Sequence, residues 1–209
     1  IVIFDFKRSE IIMLKTIGFI LLGYFSGSIL YARIFARLFK KDNIIENSKD
    51  KNPGAANAFM YGGFHCGILT LIFDLAKGFL PVSFFIHQSE PIFPDVISTA
   101  LIIAAPVIGH AFPVFFKFRG GKGIAVSFGC LLGLLPFWQP LAILVFFFIL
   151  FSVVLRISPH FHRTFVSYVS ALVCILFLVK EPAICVGFFL ITAVVILKLL
   201  FSKEKRSVT

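Results

Sequence analysis

The chain reads as an all-α polytopic membrane protein of about seven transmembrane helices, with its amino terminus outside and its carboxyl terminus cytoplasmic. Three observations predict this. Of 209 residues, 59% are hydrophobic and 29 are phenylalanine, and mean hydropathy is +0.99. A chain with so little polar surface cannot cover a soluble core, so its solvent is lipid. Second, the apolar residues fall into runs of helical length separated by short polar connections. Third, the basic residues gather in alternate connections, as the positive-inside rule requires.

Taken in order, residues 1–12 begin with Ile1 and mix Asp5, Lys7, Arg8 and Glu10 with apolar residues. They read as an extension ahead of Met13, and residues 13–209 as a single integral membrane domain. An apolar stretch from Leu14 to about Leu38 follows; it is too long for a signal-peptide core and no small-residue cleavage site follows it, so it reads as the first span. Further runs cover Gly67 to Ile86, Val96 to Phe116, Ile124 to Phe137, Leu141 to Ile157, Phe165 to Val179 and Ala183 to Phe201. A full crossing needs about 20 residues, so the fourth and sixth runs must be tilted, sheltered by neighbours or extended into their flanks.

Charge in the connections orients these segments. Lys40, Lys41, Lys49 and Lys51 lie in the first connection, Lys117, Arg119 and Lys122 in the third, Arg156 and Arg163 in the fifth, and Lys203, Lys205 and Arg206 in the tail. The even connections carry almost none. Seven spans with an outside amino terminus place every basic loop in the cytoplasm; only Lys7, Arg8 and Lys15 lie on the wrong side. The net charge of +10 is therefore loop charge suited to phosphate-bearing ligands and membrane lipid, with no nucleic-acid module legible. Cys66, Cys130, Cys174 and Cys185 have no C-x-x-C spacing and read as packing residues. No His, Cys or carboxylate cluster has metal-ligand spacing, and no cofactor is implied.

The stretch Gly109 to Ala125, GHAFPVFFKFRGGKGIA, carries the chemistry. Glycines 120, 121 and 123 permit backbone N–H groups to face a phosphate, while Lys117, Arg119 and Lys122 supply charge. A helix starting near Gly123 would aim its positive end at the same place. Phe116 and Gly123 stand where a Walker A loop needs Gly and Ser or Thr. The alternative is a short basic turn that only fixes topology.

Three other features are equally two-sided. Asp74 and Lys77 sit at i, i+3 on an apolar segment where a mid-bilayer charge costs roughly 2.5–3.5 kcal/mol, so they face protein or water. They either neutralise each other and fix packing or belong to a site. His110 is either a packing residue or an acid–base group. Asn52-Pro53-Gly54-Ala55-Ala56-Asn57 either starts a helix, with Asn57 bonding backbone, or leaves two amides for a polar ligand. Gly27 and Ser28 allow close helix packing.

Together these motifs resemble the bacterial acyl-phosphate-dependent glycerol-3-phosphate acyltransferases, integral membrane enzymes that form lysophosphatidic acid. Gly109-His110-Ala111-Phe112-Pro113 with Phe118 and Gly120-Gly121-Lys122-Gly123-Ile124-Ala125 follows the family's most specific motif. Asp74-Leu75-Ala76-Lys77-Gly78 fits its D-x-x-K-G element, Asn52-Pro53-Gly54-Ala55 with Asn57 its N-P-G-A-T-N loop, and Gly27-Ser28-Ile29 its early G-S-I-P. The resemblance implies seven helices in the bacterial inner membrane, a site at the cytoplasmic face, and acyl phosphate and glycerol 3-phosphate as substrates. It implies catalytic roles for Lys122, His110 and Asn57, and substrate binding by Asn52, Gly54, Gly120, Gly121, Gly123, Ser167, Ser170, Lys77 and Asp74. His110 would serve as general base or orienting group.

Departures from the pattern fall on expected phosphate ligands. The family's G-S-G is Lys49-Asp50-Lys51, its threonine is Ala56, and its arginine three residues past the second asparagine is Met60. Thr192 and Val195 occupy the run where a late H-x-x-N-I element belongs, and Y-V-S-x-x-S survives as Phe165-Val166-Ser167 with Ser170. Asp50 repels phosphate unless the flanking lysines neutralise it, and Arg33, Lys49 and Lys51 are the candidate substitutes for the lost ligands. Two readings follow: a working acyltransferase, on glycerol 3-phosphate or another small hydroxylated acceptor, or a non-catalytic relative that binds anionic lipid or scaffolds membrane partners.

Overall fold

Helices form where the apolar runs predict them, and glycine and proline place the interruptions. The computed structural model describes residues 2–41, 44–48, 50–88 and 95–202, among which there is no strand. Lys49, Lys203, Lys205 and Arg206 lie outside the described residues.

The first run is two helices instead of one span. α1 (Val2–Ser28) continues unbroken through Met13, and α2 (Tyr31–Leu38) follows after Ile29 and a non-helical Leu30. At the break, Gly27 lies against the Pro106 carbonyl, where an added Cβ would collide. The interruption releases the Ile29 carbonyl from helix bonding, and Lys77 Nζ donates to it at 2.6 Å. On α2, Ala32, Phe35 and Ala36 are buried while Leu38 is exposed.

The described residues of the first basic connection hold α3 (Ile44–Asn47), which no apolar run marked, and α4 (Ala55–Gly62), which begins where the helix-entry reading of the N-P-G turn put it. Gly54 is extended at the start of α4 and its carbonyl accepts from Ala58 N at 3.1 Å. α5 (Phe64–Ile86) is continuous. α6 (Val96–Ala111) starts at Asp95, whose side chain accepts from Ser98 N at 2.8 Å. It ends five residues before the apolar run does, because Pro113 cannot continue it, and Val114–Phe116 forms a 3-10 turn. α7 (Ile124–Gly133), α8 (Gln139–Ile149) with a π-helical turn Leu150–Val154, α9 (His160–Leu178) and α10 (Pro182–Leu200) complete the bundle.

Among the described residues, five segments are long and apolar enough to cross a membrane: Ser9–Leu38, interrupted as described, Phe64–Ile86, Val96–Phe116, His160–Leu178 and Pro182–Leu200. The sixth apolar run reaches that length by extending back to His160. α7, with 10 residues, rises only about 15 Å, half of a hydrocarbon layer about 30 Å thick. Its shortness is sheltered by contact with α5: a Cβ on Gly78 would meet the Val126 carbonyl, and one on Gly129 the Leu75 carbonyl. The same small-residue packing joins α1 to α6, where Gly109 lies on the Tyr24 carbonyl.

The interior is built from Ile102, Ile103, Leu131, Leu144, Ile175, Phe188 and Ile191, all fully buried, with Cys130 and Tyr168 among them. The outside is apolar as well. Phe84, Phe146, Leu176 and Phe177 are exposed, an arrangement suited to lipid rather than water. Four buried hydroxyls bond to their own chain segment: Ser28, Thr70, Ser127 and Ser167 each donate to the carbonyl four residues back at 2.7–2.9 Å, while those of Thr99, Tyr168 and Thr192 make no hydrogen bond. A second small core, Phe35, Ile44, Ala58 and Cys66 with their neighbours, holds α2, α3 and α4 on α5 and thereby fixes the N-P-G-A loop.

Candidate active site

The glycine loop folds back onto the end of α6. Gly120 N donates to Ala111 O at 3.2 Å and Gly121 N to His110 O at 3.0 Å, so the loop caps carbonyls that the helix end leaves unpaired. Lys122 N donates to Asn52 Oδ1 at 3.1 Å. These bonds correct the expectation that the amides of Gly120 and Gly121 face a ligand: both, like the Lys122 amide, are already engaged. The glycines supply space instead. A Cβ on Gly120 would strike the His110 carbonyl, and one on Gly121 would meet His110 Nε2 and Asn52 Oδ1. Gly123, at φ +80°, starts α7 as predicted, and the first turn of that helix, Ile124 and Ala125, lines a cavity of ≈ 180 Å³ together with Asn52, Gly54, His110 and Lys122.

His110 is buried, with Nδ1 2.8 Å from Lys77 Nζ. An ammonium only donates, so Nδ1 accepts, and a neutral ring then carries its proton on Nε2, the nitrogen beside Gly121. Lys77 is pinned by Ile29 O and His110 and lies 2.8 Å from Asp74 Oδ1. That last contact is an ion pair at an angle unsuited to a hydrogen bond, since Asp74 Oδ1 makes none. Both side chains are almost wholly buried, and Asp74 also reaches the ≈ 180 Å³ cavity. Ser26 Oγ donates to Lys77 O at 3.0 Å and Tyr24 OH to Phe112 O at 2.8 Å, tying α1 to this cluster.

Around Asp50 the polar groups close on one another. Asn57 Nδ2 donates to Asp50 Oδ1 at 2.7 Å and to Asn52 O at 2.8 Å, Asn52 N approaches Asp50 Oδ1 at 3.2 Å, and Lys122 Nζ lies 2.9 Å from Asp50 Oδ2. Asn57 is thus both a backbone-bonding turn residue and part of the site. Burial opposes the charge on Asp50, but the bonds from Asn57 and Lys122 outweigh it and hold the carboxyl below the usual carboxylate range. Among the described residues, the cation that neutralises Asp50 is Lys122: Lys51 is exposed at φ +52°, and Arg33 stacks on Phe116 at 5.5 Å.

This network walls a cavity of ≈ 430 Å³ lined by Asp50, Asn52, Ala56, Asn57, Met60, Tyr61, Lys122, His160 and Arg163. Ser167 and Ser170 line neither cavity; Ser167 is buried and bonded to Arg163 O, and Ser170 is half-buried. Thr192 and Val195 are buried in α10. One turn further along α10, Lys198 reaches a ≈ 90 Å³ cleft with Asp50, Lys51, Gly120 and Lys122. Sequence reasoning missed Lys198, Arg163 and His160. Lys198 was a lone charge at the end of an apolar run, and Arg163 had been counted only as loop charge.

The fold and the site together define a polytopic membrane protein with a polar cavity lined by lysine, asparagine and arginine beside a glycine loop. A family model described as Glycerol-3-phosphate acyltransferase matches residues 17–206. A glycerol-3-phosphate acyltransferase of Mycoplasma mobile is 33% identical over 178 residues, 77% of this chain and 74% of the relative. The chain therefore belongs to the glycerol-3-phosphate acyltransferase family. Enzymes so named from Albidiferax ferrireducens and Legionella pneumophila (strain Corby) are 43% and 46% identical over 116 and 114 residues, 56% and 54% of this chain. Those matches span 51% and 39% of the relatives' own lengths. In fold, the chain is similar to the crystal structure of PlsY, an integral membrane glycerol 3-phosphate acyltransferase, in its glycerol 3-phosphate form, with a TM-score of 0.74, 24% identity and 88% of each chain covered.

Proposed function

We propose that this protein transfers the acyl group of an acyl phosphate to the sn-1 hydroxyl of glycerol 3-phosphate, giving lysophosphatidic acid for phospholipid synthesis. The observation that carries the reading is the meeting of Lys122, Asn52, Asn57 and His110 at cavities beside the glycine loop, residues that lie far apart in sequence. Membership of the family supports it, as do PlsY structures solved in glycerol 3-phosphate and lysophosphatidic acid forms. The basic connections support a site on the cytoplasmic face of a bacterial inner membrane, with the amino terminus outside and the carboxyl terminus inside.

The acyl tail of the donor stays in the bilayer while its phosphate enters the cavity. The glycerol hydroxyl oxygen attacks the acyl carbonyl carbon, the carbon–oxygen bond to phosphate breaks, and phosphate departs with the bonding electrons. The hydroxyl proton ends on a phosphate oxygen. Lys122 supplies charge to the departing phosphate, the N-terminus of α7 adds its dipole, and His110 Nε2–H and the asparagine amides are the neutral donors. With Nδ1 taken by Lys77, His110 serves as a donor and orienting group in preference to a general base. Lys77 and Asp74 act through it, and Gly54, Gly120, Gly121 and Gly123 shape the walls.

The alternative, a non-catalytic binder of anionic lipid, is favoured by one observation: Asp50 already engages Lys122 and Asn57. Incubating the purified protein with acyl phosphate and radiolabelled glycerol 3-phosphate decides between them. Formation of lysophosphatidic acid, lowered about 100-fold or more in Lys122→Ala, is expected, since one such donor is worth about 3 kcal/mol. Folded wild-type protein that forms no product overturns the enzyme reading, and full activity in Lys122→Ala overturns the role of the lysine.

A further inference from the structure

The ≈ 430 Å³ cavity contains two cationic side chains, Lys122 and Arg163. They are not equivalent. Lys122 is paired with Asp50 at 2.9 Å, so that corner brings little net charge. Arg163, in the first turn of α9, has no carboxylate partner among the described residues. Its Nη2 donates to His160 Nδ1 at 2.8 Å, and its Nε is buried with no hydrogen-bond partner. A buried guanidinium N–H without an acceptor is an unmet demand for one. Met60, which lines the same cavity, offers neither charge nor acceptor of strength.

The reaction proposed above, on which this inference rests, brings two phosphoryl groups into one cavity. If the donor's phosphate lies by the glycine loop and Lys122, the second must be neutralised elsewhere on the wall. We propose that Arg163, oriented by His160, binds the phosphate of glycerol 3-phosphate. A planar guanidinium presents Nε–H and Nη–H as a fork that matches two phosphate oxygens, which an ammonium cannot do. Arg163 is thus a substrate-binding and acceptor-selecting residue supplied by α9, separate from the glycine loop and the N-P-G-A loop. Acceptors without the phosphate gain nothing from it.

The test uses full-length protein in detergent with Arg163→Met and Arg163→Lys, each checked for an unchanged elution profile. Initial rates are measured while glycerol 3-phosphate and acyl phosphate are varied separately, and equilibrium binding of glycerol 3-phosphate is measured without donor. Arg163→Met is expected to raise KM for glycerol 3-phosphate and weaken its binding by about tenfold or more, with KM for acyl phosphate within about twofold of wild type. Arg163→Lys, which keeps charge but loses the fork, is expected to fall between. A rise confined to acyl phosphate, or unchanged binding of glycerol 3-phosphate in both variants, overturns the proposal. Should Arg163→Met fail to fold, the Arg163→Lys binding result decides alone. If wild-type protein makes no product yet loses glycerol 3-phosphate binding with Arg163, the subsite stands and the acyl-transfer reading falls.

Discussion

Lys122 Nζ and Asp50 Oδ2 stand 2.9 Å apart, so the lysine presented by the glycine loop meets a carboxylate from the loop before α4. Asn57 and the Asn52 amide converge on the same carboxylate. These are the donors a phosphate would use, and Asp50 competes with it for them. Replacing Asp50 with serine keeps a small hydrogen-bonding group and removes the competing charge. A partly exposed ion pair is worth about 1 kcal/mol or less, so KM for acyl phosphate is expected to fall by up to about fivefold. Steady-state rates at saturating glycerol 3-phosphate measure this; an increase in KM would make Asp50 a ligand instead of a competitor.

The same carboxylate predicts an acid-sensitive loop. Asp50 is held below the usual carboxylate range by Asn57 and Lys122 against the opposing effect of burial. A group whose pKa is depressed on folding stabilises the protein above its unfolded value and loses that contribution as pH falls through the folded one. Stability from Asp50 is therefore constant from neutrality to about pH 5 and is lost below about pH 4. Thermal melts in detergent across this range should decline less steeply below about pH 4 for Asp50→Asn than for wild type. Parallel curves would show that the network does not distinguish the two protonation states.

Gly121→Ala tests whether the glycines serve as space. The new Cβ would meet His110 Nε2, held by Lys77 on its other nitrogen, and Asn52 Oδ1 at 3.0 Å. Both are side-chain ends held by bonds, His110 by Lys77 and Asn52 Oδ1 by the Lys122 amide, so relieving the contact shifts the loop and carries Lys122 with it. Misplacing a charge by about 1 Å costs on the order of 100-fold in rate. Transfer activity is expected to fall by that order while the detergent-solubilised protein keeps its helical circular dichroism. Unchanged activity would return the glycines to a role in loop flexibility alone.

Much of this fold was legible because lipid imposes a simple rule: apolar length means helix. The seven apolar runs mark seven helical regions, and the start of α7 at Gly123 is where the glycine loop placed it. What escaped has a specific cause in each case. The break at Ile29 lies inside an unbroken apolar run and depends on a distant carbonyl, that of Pro106, meeting Gly27. α3 sits in a polar connection with no apolar run to mark it, whereas the start of α4 at Ala55 matches the helix-entry reading of the N-P-G turn. Asn52, Asn57, His110 and Lys122, singled out from their motifs, come together at the cavities, but their mutual bonds were not legible. Asp50 was read as repelling phosphate and as relying on adjacent lysines, because sequence adjacency was the only neighbourhood visible. Its partner comes from 72 positions downstream, and Arg163 enters the same cavity from α9.

The Asp74–Lys77 pair carries the last prediction. Lys77 joins three helical regions: it faces Asp74 on α5 at 2.8 Å, the Ile29 carbonyl at the α1 break at 2.6 Å and His110 on α6 at 2.8 Å. Lys77→Met leaves the Asp74 charge buried without a counter-ion, frees the Ile29 carbonyl and removes the bond that fixes His110. Breaking one partner of a buried pair typically costs roughly 3–5 kcal/mol, whereas removing both costs much less. Lys77→Met is expected to be destabilised by that amount, and adding Asp74→Asn is expected to restore a large part of it. Activity should follow a different rule, because His110 stays unanchored in both: transfer should remain low in the double variant although stability returns. Unfolding midpoints and transfer rates measured on the same preparations separate the two effects. Recovery of both together would confine the pair to holding α1, α5 and α6 in place, with no positioning role toward His110.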